Sequence, residues 1–190
     1  MPILTAVPAP ALRDEPWANG AGRTTVLEAG PDPLNWRWRL SIATVDQPCA
    51  FSALPGVRRW LAPLDGGIEL SFPDGRILRA PRLGVLEFAG DPAPTCTLPD
   101  GPTRDFNLML RSDQTARLLA RPLVGTMVLL PEAAVRWFVH VVAGSARLTT
   151  EGETLDIAQG RSAWVEAGAA RGRIALDGAG EVVLVRLAPP

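Results

Sequence analysis

Glycine or proline interrupts this chain every few residues, a spacing that leaves no room for long helices. With 18 Gly and 19 Pro in 190 residues, the apolar segments stay short and alternate with polar residues, as half-buried strands do. The pattern predicts strands over 36–45, 67–72, 85–88, 106–110, 135–142, 146–150 and 182–187, with turns at 65–67, 73–75 and 151–152. One short helix is expected over 113–119, capped by Asp113 and ended by Pro122.

The punctuation is also written twice. Gly75, Leu78, Gly84, Phe88 and Gly90 are matched in order by Gly152, Leu155, Gly160, Trp164 and Gly168, and residues 61–72, with Gly66 and Gly67, lie over 138–150, with Gly144. Each copy reads as strand, glycine turn, strand, turn, strand, glycine, strand. So many short strands bury their edges best when each copy closes on itself. The expected fold is therefore all-β and bicupin, two double-stranded β-helix or jelly-roll barrels. The boundary lies between Arg111 and Leu123, with a first barrel over 1–112 and a second, scaffolding barrel over 113–190.

Composition removes several kinds of chemistry. All 19 basic residues are Arg, so neither a phosphate-loop lysine nor a Schiff base is available. Tyr is absent and His140 is the single histidine, which leaves few groups that titrate near neutral pH. His140 sits in the apolar run Trp137-Phe138-Val139-His140-Val141-Val142, a structural position. Where a cupin carries His-x-His this chain has Pro131, Glu132 and Ala133, and the later histidine position falls near Ala163 and Trp164. No metal and no cofactor are expected. The arginines are scattered among acids for a net charge of −1, against nucleic acid and anionic membranes as partners. The most apolar stretch, 123–135, is broken by Pro131 and Glu132, and the first dozen residues hold three prolines and no basic start, so a cytoplasmic location is expected. Cys49 and Cys96 are far apart in sequence, outside any C-x-x-C spacing, and read as buried free thiols.

Only the first copy carries a concentrated set of polar and aromatic residues: Trp17, Asn19, Arg39, Ser41, Arg58, Asp105 and Asn107. Period-two alternation places Trp36, Trp38, Leu40 and Ile42 on one face of their strand and Arg37, Arg39 and Ser41 on the other. In the same way Asp105, Asn107, Met109 and Arg111 alternate with Phe106, Leu108 and Leu110. Such a polar face is either wet or the lining of a barrel cavity. The segment 16–25 reads as a turn around a packed Trp, or as a loop whose small residues let backbone approach a ligand while Asn19 and Arg23 donate hydrogen bonds. It lacks the third glycine of a dinucleotide loop.

Four motifs in order carry a family resemblance. Pro16-Trp17-Ala18-Asn19-Gly20-Ala21-Gly22-Arg23-Thr24, Trp38-Arg39-Leu40-Ser41-Ile42-Ala43, Phe51-Ser52-Ala53-Leu54-Pro55-Gly56-Val57-Arg58, and Phe88-Ala89-Gly90 with Asp100-Gly101-Pro102 through Asp105-Phe106-Asn107-Leu108-Met109 resemble the HutD/Ves family. The chain departs from it at Ala18, where the family usually has Lys, at Ala21, where it has Gly, and at Leu54, where it has Phe. The resemblance implies a bicupin without an obvious metal site, encoded beside histidine-degradation genes, and a regulator that binds a pathway intermediate of the formylglutamate or formiminoglutamate kind. Arg39 and Arg58 suit carboxylates, and Asn19, Ser41 and Asn107 suit an amide or formyl group. The expected partner is thus a small anionic metabolite and the expected role is not catalytic. Two alternatives stand beside it: a metal-independent isomerase or hydrolase with Asp105 or Glu87 as base, and a protein-interaction module, a homodimer included, built on the six Trp.

Overall fold

The computed structural model describes residues 2–8, 14–17, 22–111, 113–130, 132–166 and 172–189. The described residues form strands and no helix. In chain order these are β1 (Ile3–Ala6), β2 (Asp14–Pro16), β3 (Gly22–Gly30), β4 (Trp38–Val45), β5 (Cys49–Ala50), β6 (Arg58–Pro63), β7 (Ile68–Ser71), β8 (Ile77–Ala80), β9 (Leu86–Ala89), β10 (Thr95–Thr97), β11 (Thr103–Leu110), β12 (Thr115–Leu129), β13 (Arg136–Thr149), β14 (Thr154–Ala158), β15 (Ser162–Glu166) and β16 (Ile174–Ala188). No helix is long and apolar enough to cross a membrane. The chain divides into two compact units, Pro10–Ser112 and a second made of Met1–Ala9 with Asp113–Pro190.

In the unit Pro10–Ser112 a six-stranded antiparallel sheet, in the order β2-β3-β4-β11-β6-β9, is joined by a four-stranded sheet, β5-β10-β7-β8. Val45, Leu61, Leu86 and Phe88 from the larger sheet pack with Ile68, Leu70, Ala80 and Cys96 from the smaller. The two sheets therefore share one apolar core, as sandwiched sheets do.

In the other unit β13 and β16 are long strands that pair over most of their length, with a bulge between Val141 and Ala143. The sheet runs β1-β15-β13-β16-β12, with β14 also on β13. Its inward residues, among them Val139, Leu148, Ile174 and Leu184, form one apolar cluster.

The doubled pattern is visible in the registers. Leu78 lies opposite Leu70 on the β7–β8 hairpin, and Leu155 lies opposite Leu148 on the β13–β14 hairpin. Phe88 on β9 and Trp164 on β15 close the two copies. The strands expected over 135–142 and 146–150 are one strand, continuous through Gly144 in the left-handed region.

Two expectations change. The segment 113–119 forms the start of strand β12, because β12 pairs residue for residue with β16 from Thr115 to Leu129, and ladder pairing overrides a weak helical preference. At 16–25 the expected reversal around a packed Trp is kept, with Pro16 opposite Arg23 and the Trp17 N–H donating to the Gly22 carbonyl at 2.9 Å. The first residues do not belong with the first copy: β1 pairs with β15, Ile3 opposite Glu166, and Leu4 joins the apolar cluster of the second unit.

Candidate functional site

The site follows from the register of three strands. Opposed residues of antiparallel neighbours point to one face of a sheet, so β4, β11 and β6 present three rows on the inner face: Arg39, Met109 and Arg59; then Ser41, Asn107 and Leu61; then Ala43, Asp105 and Pro63. Leu61 turns to the apolar core, while the polar members of these rows line a cavity of about 430 Å³ within the unit Pro10–Ser112.

The cavity is covered by the segment that follows β5. Ala50, Phe51, Ser52 and Leu54 line it, and the segment is held by bonds from Phe51 N–H to the Pro94 carbonyl (2.9 Å) and from Leu54 N–H to the Gly90 carbonyl (2.8 Å). A Cβ at Gly90 would lie 2.5 Å from the Leu54 carbonyl oxygen, so only glycine lets this cover sit so low. Trp17 forms a side wall, its indole N–H donating to Thr24 Oγ1 at 2.7 Å and its ring meeting Phe51 edge-on at 6.3 Å. Toward solvent, the exposed Arg111 guanidinium stacks on Trp36 at 4.1 Å.

Arg59 is the buried cation of this site, only 6% exposed. Its guanidinium lies between Phe51 at 4.9 Å and Phe88 at 5.2 Å. It donates to Asn107 Oδ1 at 3.2 Å, and the Asn107 amide N–H₂ donates in turn to Asp105 Oδ1. This chain of bonds fixes which way the Asn107 amide faces. Two atoms in it, Arg59 Nε and Asp105 Oδ2, are buried and have no hydrogen-bond partner among the described residues.

Burial sets the charges. It pushes the Asp105 carboxyl up to about 7, although Arg59 and the Asn107 bond both pull it down. Burial likewise lowers Arg59 to about 10, with Arg39 adding to the effect and Asp105 opposing it. Loss of water outweighs pair attraction for both groups. Near neutral pH the cavity is thus cationic, with a carboxyl able to donate or accept a proton.

Of the residues expected from sequence, Trp17, Arg39, Ser41, Asp105 and Asn107 line this one cavity. The inner-face alternative for the polar side of β4 and β11 is the observed one, with Ser41, Asp105 and Asn107 nearly or fully buried. Asn19 lies outside the described residues. Arg58 does not belong to the site: it is exposed, with its guanidinium over Trp60 at 5.3 Å, because β6 alternates and Arg59 takes the inner face. Glu87 is exposed opposite Trp60. Trp36 lines the cavity, since β4 starts at Trp38 and the alternation does not reach back to it. The close backbone approach at Gly22 serves the β3–β4 ladder, where a Cβ would meet the Thr44 carbonyl oxygen at 2.2 Å.

Arg59 was not among the residues expected from sequence. Phe88 faces Arg59 across β9 and β6, as Trp164 faces Phe138 across β15 and β13. Each of these closing aromatics has an arginine over its ring, Arg59 on Phe88 at 5.2 Å and Arg136 on Trp164 at 4.2 Å, and Trp164 also meets Phe138 edge-on at 5.0 Å. His140 belongs to the second unit, buried, with Nδ1 at 2.9 Å from Ser162 Oγ. Among the described residues no three His, Cys, Asp or Glu side chains gather where a metal would need them.

Comparison with known proteins places this architecture. The HutD family profile matches residues 9–184. Protein Ves of Cronobacter sakazakii (strain ATCC BAA-894) is 33% identical over 135 residues, which span 70% of this chain and 72% of that protein. An uncharacterized 21.2 kDa protein in the hutC 3′ region of Pseudomonas putida is 35% identical over 98 residues, 50% of this chain and 51% of that one. The structure of HutD from Pseudomonas fluorescens SBW25, obtained in a formate condition, superposes with a TM-score of 0.77 at 26% identity and covers 100% of both chains. The fold is that of the all-β bicupins. With the profile running through both β units and this likeness extending from end to end, the chain belongs to the HutD family.

Proposed function

We propose that the cavity of Pro10–Ser112 binds a small anionic metabolite, and that the chain acts through this binding as a governor of histidine utilisation. The observation that carries the reading is the buried pair of unsatisfied atoms, Arg59 Nε and Asp105 Oδ2, in a cavity also lined by Arg39, Ser41 and Asn107. Buried polar atoms are nearly always hydrogen-bonded, and a donor beside a carboxyl near its midpoint suits a ligand with a carboxylate and an amide or formyl group. Arg39 and Arg59 hold the carboxylate; Asp105 meets the polar nitrogen or oxygen beside it. A volume of about 430 Å³ suits a molecule of amino-acid size. The relative in a hutC region and the neighbour named HutD favour an intermediate of histidine breakdown, of the formylglutamate or formiminoglutamate type.

Titration calorimetry of the full chain with formylglutamate, formiminoglutamate, urocanate and histidine tests this. One of the first two should bind, and Arg59→Ala and Arg39→Ala should each weaken it at least tenfold. Silence with all four would remove the pathway assignment. A second reading rests on Asp105 itself, since a buried carboxyl near pH 7 is what general acid–base catalysis requires. Turnover of a bound candidate that disappears in Asp105→Asn, with binding retained, would replace sensing by catalysis.

A further inference from the structure

The segment that covers the cavity begins at a cysteine, and the second cysteine lies directly across from it. Cys49 on β5 is the register partner of Cys96 on β10, and their sulfur atoms are 3.5 Å apart. Both are free thiols, Cys96 buried and Cys49 half-buried. The ladder between β5 and β10 has only two residue pairs, Cys49 with Cys96 and Ala50 with Thr95, so the cover is lightly anchored where it starts. Opposed residues on antiparallel strands have the Cα separation that a disulfide requires, and bringing the sulfurs to a bond of about 2.05 Å takes a movement on the order of 1.5 Å.

We infer that Cys49 and Cys96 form a reversible disulfide that clamps the segment Phe51 to Leu54 over the cavity. The oxidant is a small disulfide such as oxidised glutathione. The Cys49 thiolate attacks one of its sulfurs and expels one glutathione thiolate, giving a mixed disulfide. Cys96 then attacks the Cys49 sulfur and releases the second glutathione. Two protein thiols are oxidised, one small disulfide is reduced, and the two thiol protons leave with the two glutathione molecules. Cys49 takes the first step because it is the more accessible sulfur. Burial and the neighbouring Cys96 push its thiol up to about 12, so the thiolate is scarce at neutral pH and the exchange is slow.

The bond and the clamp are both read without any ligand, so their failure is separate from failure of the anion-binding reading. The full chain is equilibrated in glutathione buffers of increasing oxidised fraction, quenched in acid, denatured and counted for thiols. The expected product is monomeric, has lost both thiols and two hydrogens by intact mass, and reverts with reduced glutathione. Cys49→Ser and Cys96→Ser each prevent it. Hydrogen exchange at the Phe51 and Leu54 amides should slow at least tenfold on oxidation in the wild type, while amides of β13 and β16 keep their rates. Two thiols that persist in the most oxidising buffer, or a glutathione adduct that never resolves, would overturn the bond. A bond that forms with no change in exchange at Phe51 and Leu54 would overturn the clamp.

Discussion

At the scale of residues, one position in a strand separates a buried cation from a surface charge. Arg58 and Arg59 are neighbours, yet one is exposed over Trp60 and the other is buried against Phe51 and Phe88. Arg58→Ala should leave ligand affinity within about twofold, since exposed charges contribute little, whereas Arg59→Ala should abolish measurable binding by calorimetry. Asp105 makes a prediction in pH. Its carboxyl titrates near 7 in the folded protein and near 3.8 as an ordinary group, so between those values the folded state binds more protons than the unfolded one. Its contribution therefore disfavours folding increasingly as pH rises from about 4 to 7, and is constant above that. Arg59, at about 10, stays protonated throughout. Denaturant unfolding of Asp105→Asn should show a flatter stability curve over that window, the difference from wild type changing by on the order of 2–4 kcal/mol. A parallel pair of curves would mean that Asp105 does not titrate there. Five of the seven residues expected from alternation and motif order line the cavity, because a polar strand face shows in sequence. Whether that face meets water or a cavity does not, since burial is a property of what covers the strand.

At the scale of elements, the cover and the edge strand show how local geometry constrains change. Gly90 has the Leu54 carbonyl where a side chain would start, so Gly90→Ala must lift the cover. A loss of about 1–3 kcal/mol in urea unfolding is expected, with weaker ligand binding in calorimetry. Strand β1 is equally specific: Leu4 is buried in the cluster with Val139 and Val165, and Leu4→Ala should cost about 2–4 kcal/mol in the same assay. The strands expected at 36–45, 67–72, 85–88, 106–110, 135–142 with 146–150, and 182–187 correspond to β4, β7, β9, β11, β13 and β16, because Gly and Pro mark strand ends; the other ten strands were not read from sequence. Two of those pair with partners far along the chain. The helix expected over 113–119 is strand because its partners on β16 lie roughly seventy residues later in the chain, and a local preference does not register so distant a partner. The pairing of β1 with β15 is longer-range still. The repeat, in contrast, was legible because corresponding hairpins keep Leu78 opposite Leu70 and Leu155 opposite Leu148.

At the scale of the whole molecule, duplication has produced two β units with different interiors. One has an apolar cluster around Val139 and Leu184; the other joins an apolar core to a cavity lined by Arg59, Asn107 and Asp105. His140→Ala should lower stability by about 1–2 kcal/mol through loss of its bond to Ser162, while ligand affinity measured on the folded variant stays unchanged; a matching loss of affinity would show that the second unit contributes to the site. The return of β1 to β15 also has a consequence in time. Ile3 pairs with Glu166, so during synthesis the first strand leaves the ribosome roughly 160 residues before its partner exists. At about 5–20 residues per second that is a wait of about 8–30 seconds, ample for the Pro10–Ser112 unit to fold first. Throughout this interval β1 is an unpaired strand on a growing chain. Its short length and flanking prolines, Pro2 and Pro8, limit what else it can pair with until β15 arrives.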